Sequence, residues 1–229
     1  MEGDLHRDQH ERIANSWTDN AAAWTQVVRD GLIPSRRAGT DAAILSACVA
    51  LARGPVLDVG CGEGWLVREL AARGVAATGI DVSAPLIERA RELGGGTFVV
   101  ATYDALESDS TLATGPWCGI ACNFSLLGDP LHPLLSSLRH RLAPGGRLLV
   151  QTVHPWTAHG DGPYRSAWRT ESFDSFAVSF PASMPWYYRT LASWLGQFAL
   201  AGLQVVELDE PVHPDRGAPL SLLFHCEAT

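Results

Sequence analysis

Three glycines and two carboxylates within ten residues carry the strongest chemical signal in this 229-residue sequence: Val56-Leu57-Asp58-Val59-Gly60-Cys61-Gly62-Glu63-Gly64-Trp65. Glycines at 60, 62 and 64 let the backbone turn sharply and let a ligand approach it closely. The dinucleotide fingerprint requires glycine at 60, 62 and 65, and position 65 is tryptophan. Charge separates the readings further. A pyrophosphate at a helix N-terminus prefers a neutral or basic surround, whereas Asp58 and Glu63 flank this loop. A cofactor carrying an ammonium and a sulfonium would find both carboxylates favourable.

Such a loop needs a strand before it and a helix after it, and the pattern supplies both. An apolar run over 55–59 reads as a strand, and 63–73 as a helix stopped by Gly74. The next strand is expected over 75–80, followed by Ser83 as N-cap, Pro85 in the first turn and a helix to Leu93. Residues 97–102 and 118–123 give two further strands. Leucines at 131, 134, 135, 138 and 142 follow helical spacing, and Ala143-Pro144-Gly145-Gly146 turns into a strand over 147–153. Alternation of this kind predicts a parallel sheet covered on both faces. Two regions depart from it. Residues 1–50 read as helical, with helices over 21–28 and 41–52, and residues 154–188 combine four prolines with nine aromatic residues, which suggests an inserted cap. A helix over 189–200 and strands over 203–208 and 220–226 close the chain.

At this point the sequence resembles the class I S-adenosylmethionine (SAM)-dependent methyltransferases, of the small-molecule type found in ubiquinone and menaquinone biosynthesis. Their first motif is an acidic residue followed by GxGxG after the first strand, matched by Asp58 and the loop at Gly60, Cys61 and Gly62. Gly79-Ile80-Asp81-Val82-Ser83 places an acidic residue at the end of the second strand, where the resemblance implies contact with the ribose hydroxyls. It further implies adenine contacts at Tyr103-Asp104-Ala105, places Asn123 and Phe124 beside the methyl group, and identifies Leu142 to Gly146 as the turn before the fifth strand. Trp117-Cys118 departs from the Phe-Asp that family members often show. The expected architecture is α/β and Rossmann-like: a seven-stranded mixed sheet in the order 3-2-1-4-5-7-6 with strand 7 antiparallel. One domain is expected over 1–229, made of a helical lid (1–50), a SAM-binding core (55–153), an aromatic cap insertion (154–188) and a final helix and strand pair (189–229).

Methyl transfer from a sulfonium is an in-line displacement, so the protein must align an acceptor and exclude water, and a base is needed only for a protonated acceptor. His154, after the fifth strand, is the candidate base. Arg36 or Arg37 could hold the cofactor carboxylate through a guanidinium fork, and Trp24 could close over the cofactor. Within the cap, Trp186, Tyr187, Tyr188 and Arg189 offer flat rings, hydroxyls and a cation to a planar acceptor, with Glu171 available to a cationic group. The expected function is O- or N-methylation of a small planar metabolite, with S-adenosylhomocysteine (SAH) as product. A nicotinamide-dependent oxidoreductase and a non-catalytic SAM-binding scaffold subunit remain alternatives.

Composition narrows the mechanism. All 17 basic residues are arginine, which removes a lysine Schiff base, a P-loop lysine and a lysine general base. A net charge of -8 argues against general affinity for nucleic acid. Five cysteines form no paired framework, and no HExxH or comparable ligand spacing occurs, so neither a disulfide scaffold nor a metal is expected. With no secretory h-region at the N-terminus and no apolar run long enough to cross a bilayer, the expected location is the cytoplasm, without membrane association. Oligomeric state is not legible.

Overall fold

The computed structural model describes residues 2–51, 53–109 and 112–229, with side chains from residue 8 onward. Helix α1 (Glu2–Asp19) and helix α2 (Ala21–Arg29) lead through a π-turn at Arg36–Thr40 into α3 (Asp41–Ala50). The helix expected over 41–52 thus ends early, and position 52 lies outside the described residues. The alternation then runs β1 (Val56–Val59), α4 (Trp65–Ala71), β2 (Ala77–Asp81), α5 (Ala84–Leu93), β3 (Thr97–Val100), α6 (Tyr103–Ser108), β4 (Trp117–Asn123), α7 (His132–Arg139) and β5 (Leu142–Val153). Helix α8 (Pro155–Ala158) and strands β6 (Ala167–Glu171) and β7 (Met184–Tyr188) form the insertion, followed by α9 (Leu191–Leu200), β8 (Leu203–Asp209) and β9 (Ser221–Ala228).

The main sheet has the order β3-β2-β1-β4-β5-β9-β8. Once the separate β6–β7 hairpin is set aside, this is the expected 3-2-1-4-5-7-6. Strand β9 runs antiparallel to both β5 and β8, while β1, β2, β3, β4 and β5 are mutually parallel.

Period-two alternation sorts the strand side chains onto two covered faces. Leu57, Val59, Ile120, Cys122, Leu148, Val150 and Phe224 face α7 and α9, where Trp194 and Phe198 pack on Phe224 with ring centroids 5.9 and 5.0 Å away. Val56, Ala121, Leu149 and Leu223 face α3 and α4 through Ile44, Cys48, Leu66 and Leu70. Each fully buried large side chain contributes roughly 1.5–3 kcal/mol, so both layers hold the strand ends in fixed register.

Helix α1 packs against both β7 and α5, and so spans the C-terminal edge of the parallel strands. Among the described residues no helix is long and apolar enough to cross a membrane.

Candidate active site

Gly60 and Cys61 leave β1 with both backbone N–H groups donating to the Ile80 carbonyl, at 2.8 and 2.9 Å, which ties the loop to the end of β2. Gly60 has φ +78°, and a Cβ there would collide with Ser125. Ser125 cannot yield, because its hydroxyl donates to the Val59 carbonyl (2.6 Å) and its carbonyl accepts from the Tyr103 hydroxyl (3.0 Å). Asp81, at the end of β2, accepts from the Gly62 N–H through Oδ2 and from the Ser83 N–H through Oδ1, both at 2.8 Å. Ser83 occupies the N-cap position of α5 without a side-chain cap, and its own backbone N–H is held by Asp81.

These groups border a cavity of about 460 Å³ along the C-terminal edge of β1, β2, β3, β4 and β5, the edge at which open parallel sheets bind ligands. Of the residues singled out in the sequence, Trp24, Gly60, Cys61, Gly62, Asp81, Val82, Tyr103, Asp104, Asn123 and Phe124 line it, together with Arg36. Asn123 is fixed by Gln151, whose Nε2 donates to its Oδ1 (2.8 Å) and to the Thr40 carbonyl (3.0 Å). Burial pushes the Cys61 thiol well above its ordinary value, so it stays protonated and inert.

Asp58 lies behind this wall, buried on the α3 face of the sheet with Oδ1 lacking a hydrogen-bond partner. Burial, followed by the nearby Asp81 charge, pushes its carboxyl up to about 7, with Arg36 pulling the other way. Burial also raises the Asp81 carboxyl, against the pull of its N–H donors. Glu63 lines the cavity, yet its charge is spent. Arg68 contacts both of its oxygens at 2.7 Å and Arg29 adds a third bond at 3.0 Å.

Several expected site residues stand elsewhere. Arg37 is exposed, with its stem against Gly31, whereas Arg36, in the cavity wall, stacks on Trp65 at 4.4 Å and donates from Nε to both Asp41 oxygens at 2.8 and 3.0 Å. Ala105 gives its N–H to the Thr102 hydroxyl that caps α6. His154 is not in the cavity wall. Adjacent residues of an extended chain face opposite ways, so Val153 lines the cavity while His154 Nε2 meets Glu210 at 2.8 Å.

The cap residues Glu171, Trp186, Tyr187, Tyr188 and Arg189 are likewise absent from the wall. Glu171 accepts the Phe173 N–H within the hairpin, and Arg169 stacks on Tyr188 at 3.7 Å, whose hydroxyl donates to the Pro155 carbonyl. Tyr187 donates its N–H to the Leu127 carbonyl. Arg189 is buried, held by the Gly128 carbonyl (2.5 Å) and Asp129 (2.7 Å), between the rings of Tyr187 and Trp194. These groups buttress the 127–129 loop from behind. Phe176 is the cap residue that reaches the cavity, in an edge contact with Trp24 at 6.3 Å.

A family model described as a methyltransferase domain matches residues 42–208, more than half of the chain. The chain belongs to the methyltransferase domain family. This methyltransferase domain is 37% identical over 114 residues to the ubiquinone biosynthesis O-methyltransferase of Xylella fastidiosa (strain 9a5c), covering 48% of the chain and 46% of that protein. It is 31% identical over 127 residues to the malonyl-[acyl-carrier protein] O-methyltransferase of Salmonella typhimurium, covering 55% and 48% respectively. The match thus spans about half the length of these curated relatives. Among solved structures, an S-adenosylmethionine dependent methyltransferase from Mesorhizobium loti superposes with TM-score 0.63 at 20% identity, covering 82% of this chain and 97% of that one. The glycopeptide N-methyltransferase MtfA complexed with SAM gives TM-score 0.61 at 15% identity, covering 81% and 87%. At those identities the likeness is one of fold.

Part of the cavity wall was missed by sequence reasoning. His10, Trp17, Leu127, Leu131 and Phe176 line it, and none belongs to a motif. One other cluster has ligand-type atoms close together, Glu207, Asp209 and His225, all within 4.8 Å. Its groups are already paired, His225 with Asp209 at 2.9 Å inside the cluster and Glu207 with Arg147 outside it at 3.0 Å.

Proposed function

We propose that this protein transfers a methyl group from SAM to oxygen or nitrogen of a small planar acceptor and releases SAH. The observation that carries this reading is that the glycine loop, Asp81 and the lid aromatics Trp17 and Trp24 open onto one cavity. Its volume falls within the range of small-molecule sites.

The residues fit the cofactor. Each Asp81 oxygen takes one N–H and keeps a lone pair for a ribose hydroxyl. The unpartnered Asp58 Oδ1 leaves an acceptor behind the loop, and a cation brought near it would favour the ionised form that burial otherwise disfavours. Gly62 leaves room between the loop and Trp24, whose ring would lie 3.7 Å from any Cβ there. Because Glu63 is neutralised by arginines, Asp58 and Asp81 carry the electrostatic preference.

When bound, the cofactor supplies a methyl group already activated by positive charge. The chain then has to fix geometry and keep water out, and its means are rigid. Tyr103 and Ser125 lock Gly60, Gln151 locks Asn123, and Trp17 packs edge-on against Trp24 at 5.0 Å to roof the acceptor space.

Isothermal titration with SAH, SAM and NADH tests this reading: SAH and SAM should bind and NADH should not. Incubation with methyl-labelled SAM and a small-molecule extract of the host should then label one class of compound. Binding without any transfer would favour the scaffold alternative, and preference for NADH the oxidoreductase.

A further inference from the structure

We propose that Gln151 is a positioning residue that fixes the polarity of Asn123, so that the Asn123 amide meets the cavity as a hydrogen-bond donor to a ligand oxygen. The inference rests on the methyltransferase reading above and deepens it, by assigning which end of one wall amide faces the ligands and which ligand atom that end selects.

Gln151 lies outside the cavity wall, 1% exposed on β5 and directly opposite Asn123 on β4. Its orientation is forced. Nε2 donates to the Thr40 carbonyl at 3.0 Å, and a backbone carbonyl only accepts. Turning the amide over would set Oε1 against that carbonyl, two acceptors in a buried place, and would lose the Ser221 hydroxyl that donates to Oε1 at 3.5 Å. The second Nε2 hydrogen goes to Asn123 Oδ1 at 2.8 Å.

The constraint passes on to Asn123. With Oδ1 committed, Nδ2 is the end left for the cavity that Asn123 lines; it has no hydrogen-bond partner among the described residues and is not buried. An NH2 group in that place takes a carboxylate or carbonyl oxygen and offers nothing to a donor. Arg36 joins it in the wall, with Nε spent on Asp41 and with Nη1 and Nη2 making no hydrogen bond among the described residues. Arg36 and Thr40 belong to the same π-turn, so one segment supplies the guanidinium and orients the amide relay. The oxygen has two possible sources, the carboxylate at the amino-acid end of the cofactor or an oxygen of the methyl acceptor.

Asn123→Asp keeps the shape and the bond from Gln151 but replaces the donor by an acceptor. The test titrates this variant with SAH and with 5′-methylthioadenosine, the same nucleoside without the amino-acid end, and follows labelling of host extract by methyl-labelled SAM. If the oxygen is the cofactor's, SAH affinity falls about 10-fold or more while 5′-methylthioadenosine binds as in wild type. If it is the acceptor's, both affinities hold and labelling falls by a similar factor. Gln151→Leu, which frees the amide without adding charge, should show the same selectivity with a smaller loss, whereas a purely structural role would weaken both nucleosides together. Equal losses for the two nucleosides, no change in either affinity or in labelling for Asn123→Asp, or a Gln151→Leu variant that matches wild type in all three would overturn the proposal. Wild type failing to bind SAH would instead sink the methyltransferase reading itself.

Discussion

Asp81 Oδ2 accepts the Gly62 N–H at 2.8 Å, so one carboxylate at the end of β2 shapes the glycine loop that leaves β1. The same group faces the cavity. Asp81→Ala removes the loop anchor together with the proposed ribose acceptor, interactions worth about 1.5–3 kcal/mol each when charge-assisted. SAH affinity measured by titration should drop about 100-fold, with a smaller loss in Asp81→Asn. Unchanged affinity in Asp81→Ala would remove the ribose assignment.

Gly60 is the tightest point of the loop. Gly60→Ala combines a left-handed φ of +78° with a clash against a doubly anchored Ser125. Strain of this kind costs about 1–3 kcal/mol before the clash is counted. Thermal unfolding should shift down by several degrees, roughly 2–4 °C per kcal/mol for a chain of this size, and SAH binding should be lost.

The Asp58 carboxyl is pushed up to about 7 in the folded protein, above its ordinary value of about 3.9. Between those values the folded state holds a proton that the unfolded state has released. The contribution of Asp58 to the stability of the cofactor-free protein should therefore fall as pH rises from about 4 towards 7, and level off above. Asp58→Asn should flatten that slope, leaving the part due to Asp81, whose pKa is raised in the same direction. Melting temperatures across this range, wild type against Asp58→Asn, check the sign; equal slopes would refute it.

Arg189 has a fully buried side chain paired with Asp129 and with the Gly128 carbonyl. Removing it strands a carboxylate and a carbonyl together, a loss of about 3 kcal/mol or more. Chemical denaturation of Arg189→Ala should show a lower midpoint, whereas a surface residue that only touched substrate would leave the midpoint unchanged.

The glycine loop and the alternation of strands and helices were legible because apolar runs of fixed length, turn glycines and helix stops are local. The order of the strands and the part given to Asp81 came from the resemblance to class I methyltransferases. The lid's share of the cavity wall was not legible. His10 and Trp17 belong to a charged helix whose placement over the sheet edge depends on contacts with β7 and α5, far away in the chain. The Trp186 to Arg189 run was read as a pocket because rings and a cation suit a planar ligand. Those groups are equally suited to packing a hairpin on a loop, and nothing within the run distinguishes the two uses.

What the sequence by itself determined is the glycine-loop part of the cavity: backbone turns and carboxylates set by residues that are neighbours in the chain or at the ends of adjacent strands. What only the tertiary structure decided is which side chains face the cavity. A strand shifted by one residue exchanges its two faces, and that is what separates Val153, in the wall, from His154, bound to Glu210. Charge at a site is likewise a property of partners, as Glu63 shows: acidic in the sequence, and neutralised by two arginines in the fold.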